Sequence, residues 1–431
     1  MPPKRQPFRE RLQDLLRPLE RYTKTDMSYL TRGGFWLTLD EAVGAIAALL
    51  LSIAFAQFLP KEVYGTYRFL LALFWVLTAF TMTGLPSAIS RAVARGKEGA
   101  FRSSFGYSIR FALPLSVLAL GTSGYYFIQG NVELGYGLLI IAMLGPLMQA
   151  AYLWSAYFNG KKKFRSVAFC GIVFSIVPAL ALLATMFVSK EPLTLLFSYL
   201  ASTVLTGLLI SVFILVRERP NREPDPEYKN LGWHFSAMNL LSTIAQQVDK
   251  IVVFHYLGAV QLAVYALATA LPEQVKNVFG SVSTLAFPKF VERPFREIQK
   301  TFWYRFWGFT GLLTIVAIAY AIIAPFAFSI LFPQYQEAVL YSQIFALALI
   351  PTGNTLAVTL LQAHKAKREL YIFNVLSPVF QILALIVLTS LFGLLGTVIA
   401  RITGRAWSFV LAGILVTTYG WRESRMLASA E

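Results

Sequence analysis

Twelve stretches of about 20 mainly apolar residues follow one another along this chain of 431 residues. Each is long enough to cross the hydrocarbon core of a bilayer as one α-helix. A spanning segment must satisfy its own backbone polar groups, because the bilayer core holds no water. The sequence therefore predicts an all-α integral membrane protein with twelve transmembrane helices. The predicted spans cover residues 33–58, 69–86, 104–127, 135–157, 167–188, 193–216, 233–257, 262–285, 303–332, 338–361, 371–391 and 396–419.

The composition excludes other classes of protein. The chain is 56% hydrophobic and 14% charged, whereas soluble domains are about 45–50% apolar and about 25% charged. Its 35 Phe, 20 Tyr and 8 Trp exclude a disordered chain. The single cysteine, Cys170, forbids an internal disulfide and a cysteine-based metal cluster. No metal or cofactor is expected.

The basic residues assign an orientation to the spans. Placing the N-terminus in the cytoplasm puts 29 of the 38 Lys and Arg residues in cytoplasmic segments and six inside spans. Only Lys61, Arg68 and Lys190 then fall in outer loops. Such an asymmetry is typical of the positive-inside rule. Both termini are therefore predicted to be cytoplasmic, and the net charge of +16 indicates basic loops rather than nucleic-acid binding.

A polar segment divides the chain into two halves. Residues 217–231 contain three prolines and eight charged residues, which is typical of an extended linker. We expect a basic cytoplasmic segment at 1–32, an N-lobe at 33–216, the linker at 217–231, a C-lobe at 232–419 and a cytoplasmic tail at 420–431. Within the first segment, Phe8 to Leu19 has apolar residues at helical spacing, which fits an interfacial helix or a solvated basic tail.

The two halves match at three places. FLPKEVYGTY (58–67) aligns with YLGAVQLAVY (256–265), and FSIVP (174–178) aligns with NVLSP (374–378). Leu144-Gly-Pro146 aligns with Leu349-Ile-Pro351. Because six spans is an even number, both copies enter the membrane from the same side. The pattern predicts two pseudo-symmetric six-helix lobes around a central cleft, as in alternating-access transporters; the alternative is a static scaffold.

Three segments resemble a known family. YGTYRFLLALFWVLTAFTMTGLPSAISRAVARGK (64–97), YFNGKKKFR (157–165) and VDKIVVFHYLGAVQLAVYALATAL (248–271) are similar to parts of lipid-linked oligosaccharide flippases. These proteins belong to the multidrug/oligosaccharidyl-lipid/polysaccharide (MOP) exporter superfamily. One departure is Leu262-Ala-Val-Tyr265, where the second lobe of the family often has a glycine. The resemblance implies a prokaryotic cytoplasmic membrane and a polyprenyl-diphosphate-linked oligosaccharide as cargo.

Charged and polar residues inside the spans indicate a polar cleft. A charge at mid-bilayer costs about 2.5–3.5 kcal/mol and normally faces a cavity or a partner. Span twelve carries Thr397, Arg401, Arg405 and Ser408 along one face, and span seven carries Asn239, Ser242, Gln246 and Asp249. Span eight carries Thr269, Glu273, Asn277, Ser281 and Thr284, with Lys276 beside them. Arg110 and Arg305 lie close enough to span ends to extend to the interface.

These charges have two interpretations. In the first, they pair internally: Asp249 with Arg401 or Arg405, and Glu273 with Lys276. In the second, they form a substrate site for an anionic head group, because arginine presents a planar fork suited to phosphate oxygens. The predicted site residues are Arg401, Arg405, Lys250, Lys276, Asn239, Gln246 and Asn277. The candidates for coupling to H⁺ or Na⁺ are Asp40, Glu41, Asp249 and Glu273.

Three functions are consistent with this architecture. The favoured one is a flippase for cell-surface polysaccharide biosynthesis, acting on a lipid-linked oligosaccharide without a nucleic-acid partner. We expect a monomer. The alternative is an ion-coupled multidrug or cation exporter, whose site should be acidic and aromatic. A membrane enzyme is disfavoured, because the predicted outer loops are short and carry no cluster of acids or histidines.

Overall fold

A computed structural model describes residues 27–428 of the protein. Side chains are described in that range except at 27–34, 37, 280–289, 291, 292, 296, 300 and 424–428. The described residues form helices and connecting segments and no strand. The predicted helix or tail at Phe8 to Leu19 lies outside the described residues, as do the side chains of Ser281 and Thr284.

The first half forms six helical spans. The bounds of α1, α2, α5 and α6 are Met27–Phe58, Lys61–Thr78, Phe164–Val188 and Pro192–Phe213. A short helix, Leu85–Ala94, follows α2. α3 consists of Gly99–Phe111 and Leu113–Ile128, and α4 of Val132–Ala151 and Trp154–Gly160.

The second half repeats this arrangement. α7 consists of Tyr228–Ala245 and 248–257, α8 covers 259–292, and α9 covers Phe295–Leu331. α10 is built from Ala338–Phe345, a 3₁₀ segment at Ala346–Gly353, and Asn354–Ala363. α11 and α12 cover 367–392 and 394–428. Gly258 (φ +85°) separates α7 from α8 and Gly393 (φ +59°) separates α11 from α12. Glycine allows the left-handed backbone at these two bends.

The helices account for the twelve predicted spans. In the described part of the chain, nine helices are long and apolar enough to cross a membrane. Two of them, Tyr228–Phe279 and Lys367–Glu423, each contain two spans joined at a glycine bend. α2 is not among the nine, since its charged residues lower its hydropathy, and it completes the set. The predicted fold class, twelve helices in two six-helix lobes, is confirmed.

The prediction for the second span was wrong in position. The sequence placed the span at 69–86 and assigned Arg68 to an outer loop. The helix instead begins at Lys61, directly after Pro60, and ends at Thr78. Arg68 therefore lies two turns inside α2, where its guanidinium faces the space between the lobes.

Matching irregularities support the internal repeat. Lys162 (φ +56°) and Lys365 (φ +53°) adopt the left-handed conformation at the turns after α4 and after α10. Pro146 and Pro351 lie within these spans, and Pro178 and Pro378 lie within α5 and α11. A non-glycine residue with positive φ is uncommon. The same strained turn at matching places in both halves indicates duplicated structure.

The lobes contact each other at both ends of the bundle, and beyond the end of α2 the Gly84 N–H donates to Ser236 Oγ of α7 at 2.9 Å. We call the end where α1 begins the inner end and the opposite end the outer end. At the outer end, Lys61 Nζ donates a hydrogen bond of 2.7 Å to Glu337 Oε1 and lies 4.9 Å from the centre of the Tyr335 ring. Phe69 of α2 stacks on Phe254 of α7 with ring centroids 3.8 Å apart. These contacts close the cleft towards the outer side.

The linker is docked on the N-lobe. Residues 219–225 have no regular secondary structure and lie across the connection between α2 and α3. The Asn221 N–H donates to Glu98 Oε2 at 3.1 Å, and the Gly99 N–H donates to the Glu223 carbonyl oxygen at 3.0 Å. Glu98 is buried and also forms an ion pair with Lys161. The linker therefore has a defined path along the N-lobe.

Candidate functional site

Two adjoining cavities lie between the lobes. The larger has a volume of about 940 Å³ and is lined by α1, α8, α10 and α12. The smaller has a volume of about 510 Å³ and lies nearer the outer end, between α2, α7, α8 and α12. Ala48, Gln274 and Lys276 line both. The two cavities therefore form one cleft, which extends towards the inner end at Thr38 and Glu41.

Asp249 of α7 is the buried centre of the first charge cluster. Its side chain is 2% exposed. Tyr265 Oη donates to Asp249 Oδ2 at 2.7 Å, and Lys250 Nζ lies 3.6 Å from Oδ1. Arg401 Nε lies 3.5 Å from Oδ2. This carboxylate therefore joins α7, α8 and α12.

Glu273 of α8 is the centre of the second cluster. It forms ion pairs with Arg405, with Lys276 at 2.5 Å and with Arg401 at 3.5 Å. Arg401 therefore bridges both carboxylates. Arg405 also donates to the Ala348 carbonyl oxygen at 3.3 Å. Internal pairing, the first of the two interpretations, is present in this structure; buried charges require such pairing because their desolvation is costly.

The pairing does not neutralise the cleft. Five basic side chains line the two cavities, namely Arg68, Lys250, Lys276, Arg401 and Arg405. Three acidic side chains line them, namely Glu41, Asp249 and Glu273. An excess of cations remains in a site partly shielded from water. Such a site favours an anionic ligand.

Arg68 is the charged cleft residue that the sequence analysis did not predict. Its Nε atom is buried and has no hydrogen-bond partner within the described residues. Lys250 of α7 and Tyr199 of α6 line the same cavity. The spacing of Tyr64, Arg68, Leu71 and Trp75 on one helical face is the signal that would have identified it.

The predicted polar residues of α7 and α8 do not all line the cleft. Gln246 lines the smaller cavity and Asn277 lines the larger one. Asn239 lines neither of these cavities; it is exposed, and its carbonyl oxygen accepts from Ser242 and Thr243 at 2.8 and 2.9 Å. The structure therefore brings together every predicted substrate residue except Asn239.

The stripe on α12 has two roles. Thr397 forms a hydrogen bond of 2.9 Å with Thr389 of α11. Ser408 forms one with Ser377 of the same helix. The ends of the stripe therefore fasten α12 to α11. Only the two arginines between them reach the cleft.

The predicted ion-coupling carboxylates separate into two groups. Glu41, Asp249 and Glu273 line the cleft. The Asp40 carboxylate instead lies directly over Gly171 of α5, where a side chain at position 171 would overlap it. Successive helical residues point about 100° apart, so Asp40 and Glu41 face different neighbours. Among the described residues, no group of three His, Cys, Asp or Glu side chains is arranged to hold a metal ion.

Comparison with protein families gives a match over more than half of the chain. The model of a family described as polysaccharide biosynthesis protein matches residues 30–293. No curated protein matches the chain.

Solved structures share the fold at low sequence identity. A lipid II flippase, MurJ, in an inward closed conformation has a TM-score of 0.64 and 14% identity, covering 88% of this chain and 87% of its own. An outward-facing multidrug resistance MATE family transporter has a TM-score of 0.60 and 15% identity, covering 90% and 95%. A MOP superfamily transporter from Pyrococcus furiosus, whose binding pocket is described as having reverse polarity, has a TM-score of 0.57 and 15% identity, covering 94% and 96%.

Proposed function

Because the chain belongs to the polysaccharide biosynthesis protein family and shares the fold of MOP superfamily transporters, we propose that it is a flippase. Its cargo is a polyprenyl-diphosphate-linked oligosaccharide for cell-surface polysaccharide, moved across the prokaryotic cytoplasmic membrane by alternating access. Both termini are cytoplasmic in this proposal, and the protein carries no enzymatic activity. The cargo's head group passes through the cleft while its lipid tail stays in the bilayer.

The excess of basic side chains in the cleft carries this proposal. A diphosphate brings several negative charges that must leave water as the head group crosses. Arg401 and Arg405 offer planar guanidinium forks, which bind phosphate oxygens with two parallel hydrogen bonds. Lys250, Lys276 and Arg68 add positive charge around them. A site for a cationic drug would need the opposite excess.

The positions of these residues suit a rocking movement. Arg401, Arg405, Lys250 and Lys276 belong to the C-lobe, and Arg68 belongs to the N-lobe. An anion bound between them contacts both lobes. The contacts at Lys61 and Glu337 must separate before the cleft opens to the outer side. Because the bound head group contacts both lobes, its charge affects the position of one lobe relative to the other.

The carboxylates of the cleft supply the coupling. Asp249 and Glu273 compete with the cargo for the same arginines. Protonation of either carboxylate, or Na⁺ binding there, frees a guanidinium for the diphosphate. Asp40 and Glu41 stand on α1 as further candidates. A carboxylate that exchanges partners in this way couples an ion to the substrate.

A flip assay tests the proposal. Purified protein in liposomes receives a fluorescent polyprenyl-diphosphate sugar, and its exposure in the outer leaflet is followed with and without a proton gradient. Protein-dependent movement is expected. Absence of movement, together with gradient-driven transport of a cationic dye, would instead assign the protein to the ion-coupled multidrug exporters.

A further inference from the structure

The smaller cavity has an aromatic wall opposite its charges. The wall comprises Tyr64, Tyr67 and Trp75 of α2 and Tyr199 of α6, all in the N-lobe. The cations Lys250 and Arg401 face it from the C-lobe. None of these aromatic residues is needed to bind a phosphate.

The sequence of α2 builds this wall. One face of this helix carries Tyr64, Tyr67, Arg68 and Trp75, which are spaced three, one and seven residues apart. Phe55 of α1, which also lines the cavity, stacks on Tyr64 with centroids 5.0 Å apart and an interplanar angle of 25°. Tyr64 and Tyr67 are each 2% exposed, so they form the fixed backing of the wall.

Two rings present surface to the cavity. Trp75 and Tyr199 are partly exposed. Trp75 contacts the edge of Tyr152 with centroids 6.2 Å apart. The Tyr199 side chain lies beside that of Tyr152. These contacts hold both rings in place before any ligand arrives, which lowers the entropy lost on binding.

We propose that this aromatic wall binds the sugar ring that is attached directly to the diphosphate. A pyranose has apolar C–H faces that pack on an aromatic ring and a rim of hydroxyls that need hydrogen-bond partners. Trp75 supplies the ring face, and the Tyr199 hydroxyl and Arg68 supply polar partners. The inference rests on the proposed function and adds the subsite that distinguishes a glycan-bearing lipid from a bare one.

The geometry of the cargo matches the two walls. In a glycosyl diphosphate, the first sugar is bonded to the outer phosphate, so the two groups must occupy adjacent space. Arg68, Lys250 and Tyr199 line the same cavity. A diphosphate held at Arg401 and Lys250 therefore places the first sugar against the N-lobe. The volume of about 510 Å³ falls in the usual range for a small-molecule site.

Equilibrium binding with two probes tests this subsite. One probe is a fluorescent polyprenyl diphosphate, and the other is the same lipid carrying a single N-acetylglucosamine. The full chain in nanodiscs should bind the sugar-bearing probe about tenfold more tightly. Trp75→Leu should remove that preference and leave the affinity for the bare lipid unchanged. Trp75→Phe should retain part of the preference, because it keeps a ring.

Trp407 provides the matched control. It is a second deep tryptophan, stacked on Phe380 with centroids 5.0 Å apart and outside both cavities. Trp407→Leu should leave both affinities unchanged. Equal wild-type affinity for the two probes would overturn the sugar subsite alone, as would equal weakening of both by Trp75→Leu. Failure of the wild-type protein to bind either probe would overturn the proposed function itself.

Discussion

The two walls of the cleft differ in kind. The C-lobe wall is charged, and its cations are already held by Asp249 and Glu273. The N-lobe wall is aromatic and carries one cation, Arg68, which lacks a carboxylate partner in the described part of the chain. Under the proposed function, the duplicated lobes take different tasks: one binds charge and the other provides shape. The predictions below test this division.

The largest effect is expected at the C-lobe wall. Arg401→Ala combined with Arg405→Ala should lower transport in the flip assay by about 100-fold or more, since it removes both phosphate-binding forks. Arg401→Lys with Arg405→Lys retains the charges that pair with Asp249 and Glu273. It should insert normally and still transport poorly, because lysine lacks the planar fork.

The control for this pair is Arg110→Ala with Arg305→Ala. Both arginines are exposed and line neither cavity. Transport should remain at the wild-type level. Full activity of the Arg401 and Arg405 double alanine variant would remove the C-lobe wall from the substrate site.

Removing a carboxylate that competes with the cargo should strengthen binding of the cargo. Glu273→Gln leaves Arg401, Arg405 and Lys276 without their shared anion. The affinity for polyprenyl diphosphate in an equilibrium titration should rise about tenfold, while release and turnover slow. Glu369→Gln is the control, because Glu369 is a buried carboxylate paired with Arg422 at 2.5 Å outside the cleft. A lower affinity in Glu273→Gln would contradict the competition.

A smaller effect is expected at Arg68. Arg68→Gln should weaken diphosphate binding about fivefold without lowering thermal stability, since no ion pair with a carboxylate is lost. If the two walls act separately, adding Trp75→Leu to Arg68→Gln should weaken binding of the sugar-bearing lipid further. It should not weaken binding of the bare lipid further. An effect as large as that of the arginine pair on α12 would mean that the N-lobe shares the charge equally.

The smallest effect concerns the outer closure. Lys61→Ala removes a partly exposed ion pair of about 1 kcal/mol or less. The test uses a chain that carries Ala270→Cys and Cys170→Ser. An impermeant thiol reagent added from the outer side should label the new cysteine a few-fold faster when Lys61→Ala is also present. Lys190→Ala, an exposed outer lysine, should leave the rate unchanged. High salt should reduce the difference by screening the pair.

The span count and most of the charged cleft were predictable from the sequence. Long apolar runs and the asymmetry of Lys and Arg identify the helices, because both reflect solvation in the bilayer. α2 was misplaced because Lys61, Glu62 and Arg68 in its first turns resemble a loop. A charge on one face of a helix is compatible with a span only if that face meets a cavity.

Helix rotation explains the remaining differences. Asp40 and Glu41 are adjacent in sequence, and nothing in their spacing indicates which one faces the other lobe. The packing of Asp40 over Gly171 decides it. The aromatic wall was overlooked because Tyr64 was assigned to the loop before the second span, and because Tyr199 is an ordinary residue of an apolar span until α2 and α6 are placed side by side.

The docked linker has a consequence for the order of synthesis. Its binding surface around Glu98 and Gly99 is made about 120 residues before Asn221 and Glu223 leave the ribosome. The surface on which the linker docks has therefore already been synthesised when the linker emerges. The docked linker fixes the direction in which the chain leaves the N-lobe. The first helix of the C-lobe, α7, therefore starts from a position that the N-lobe has already set.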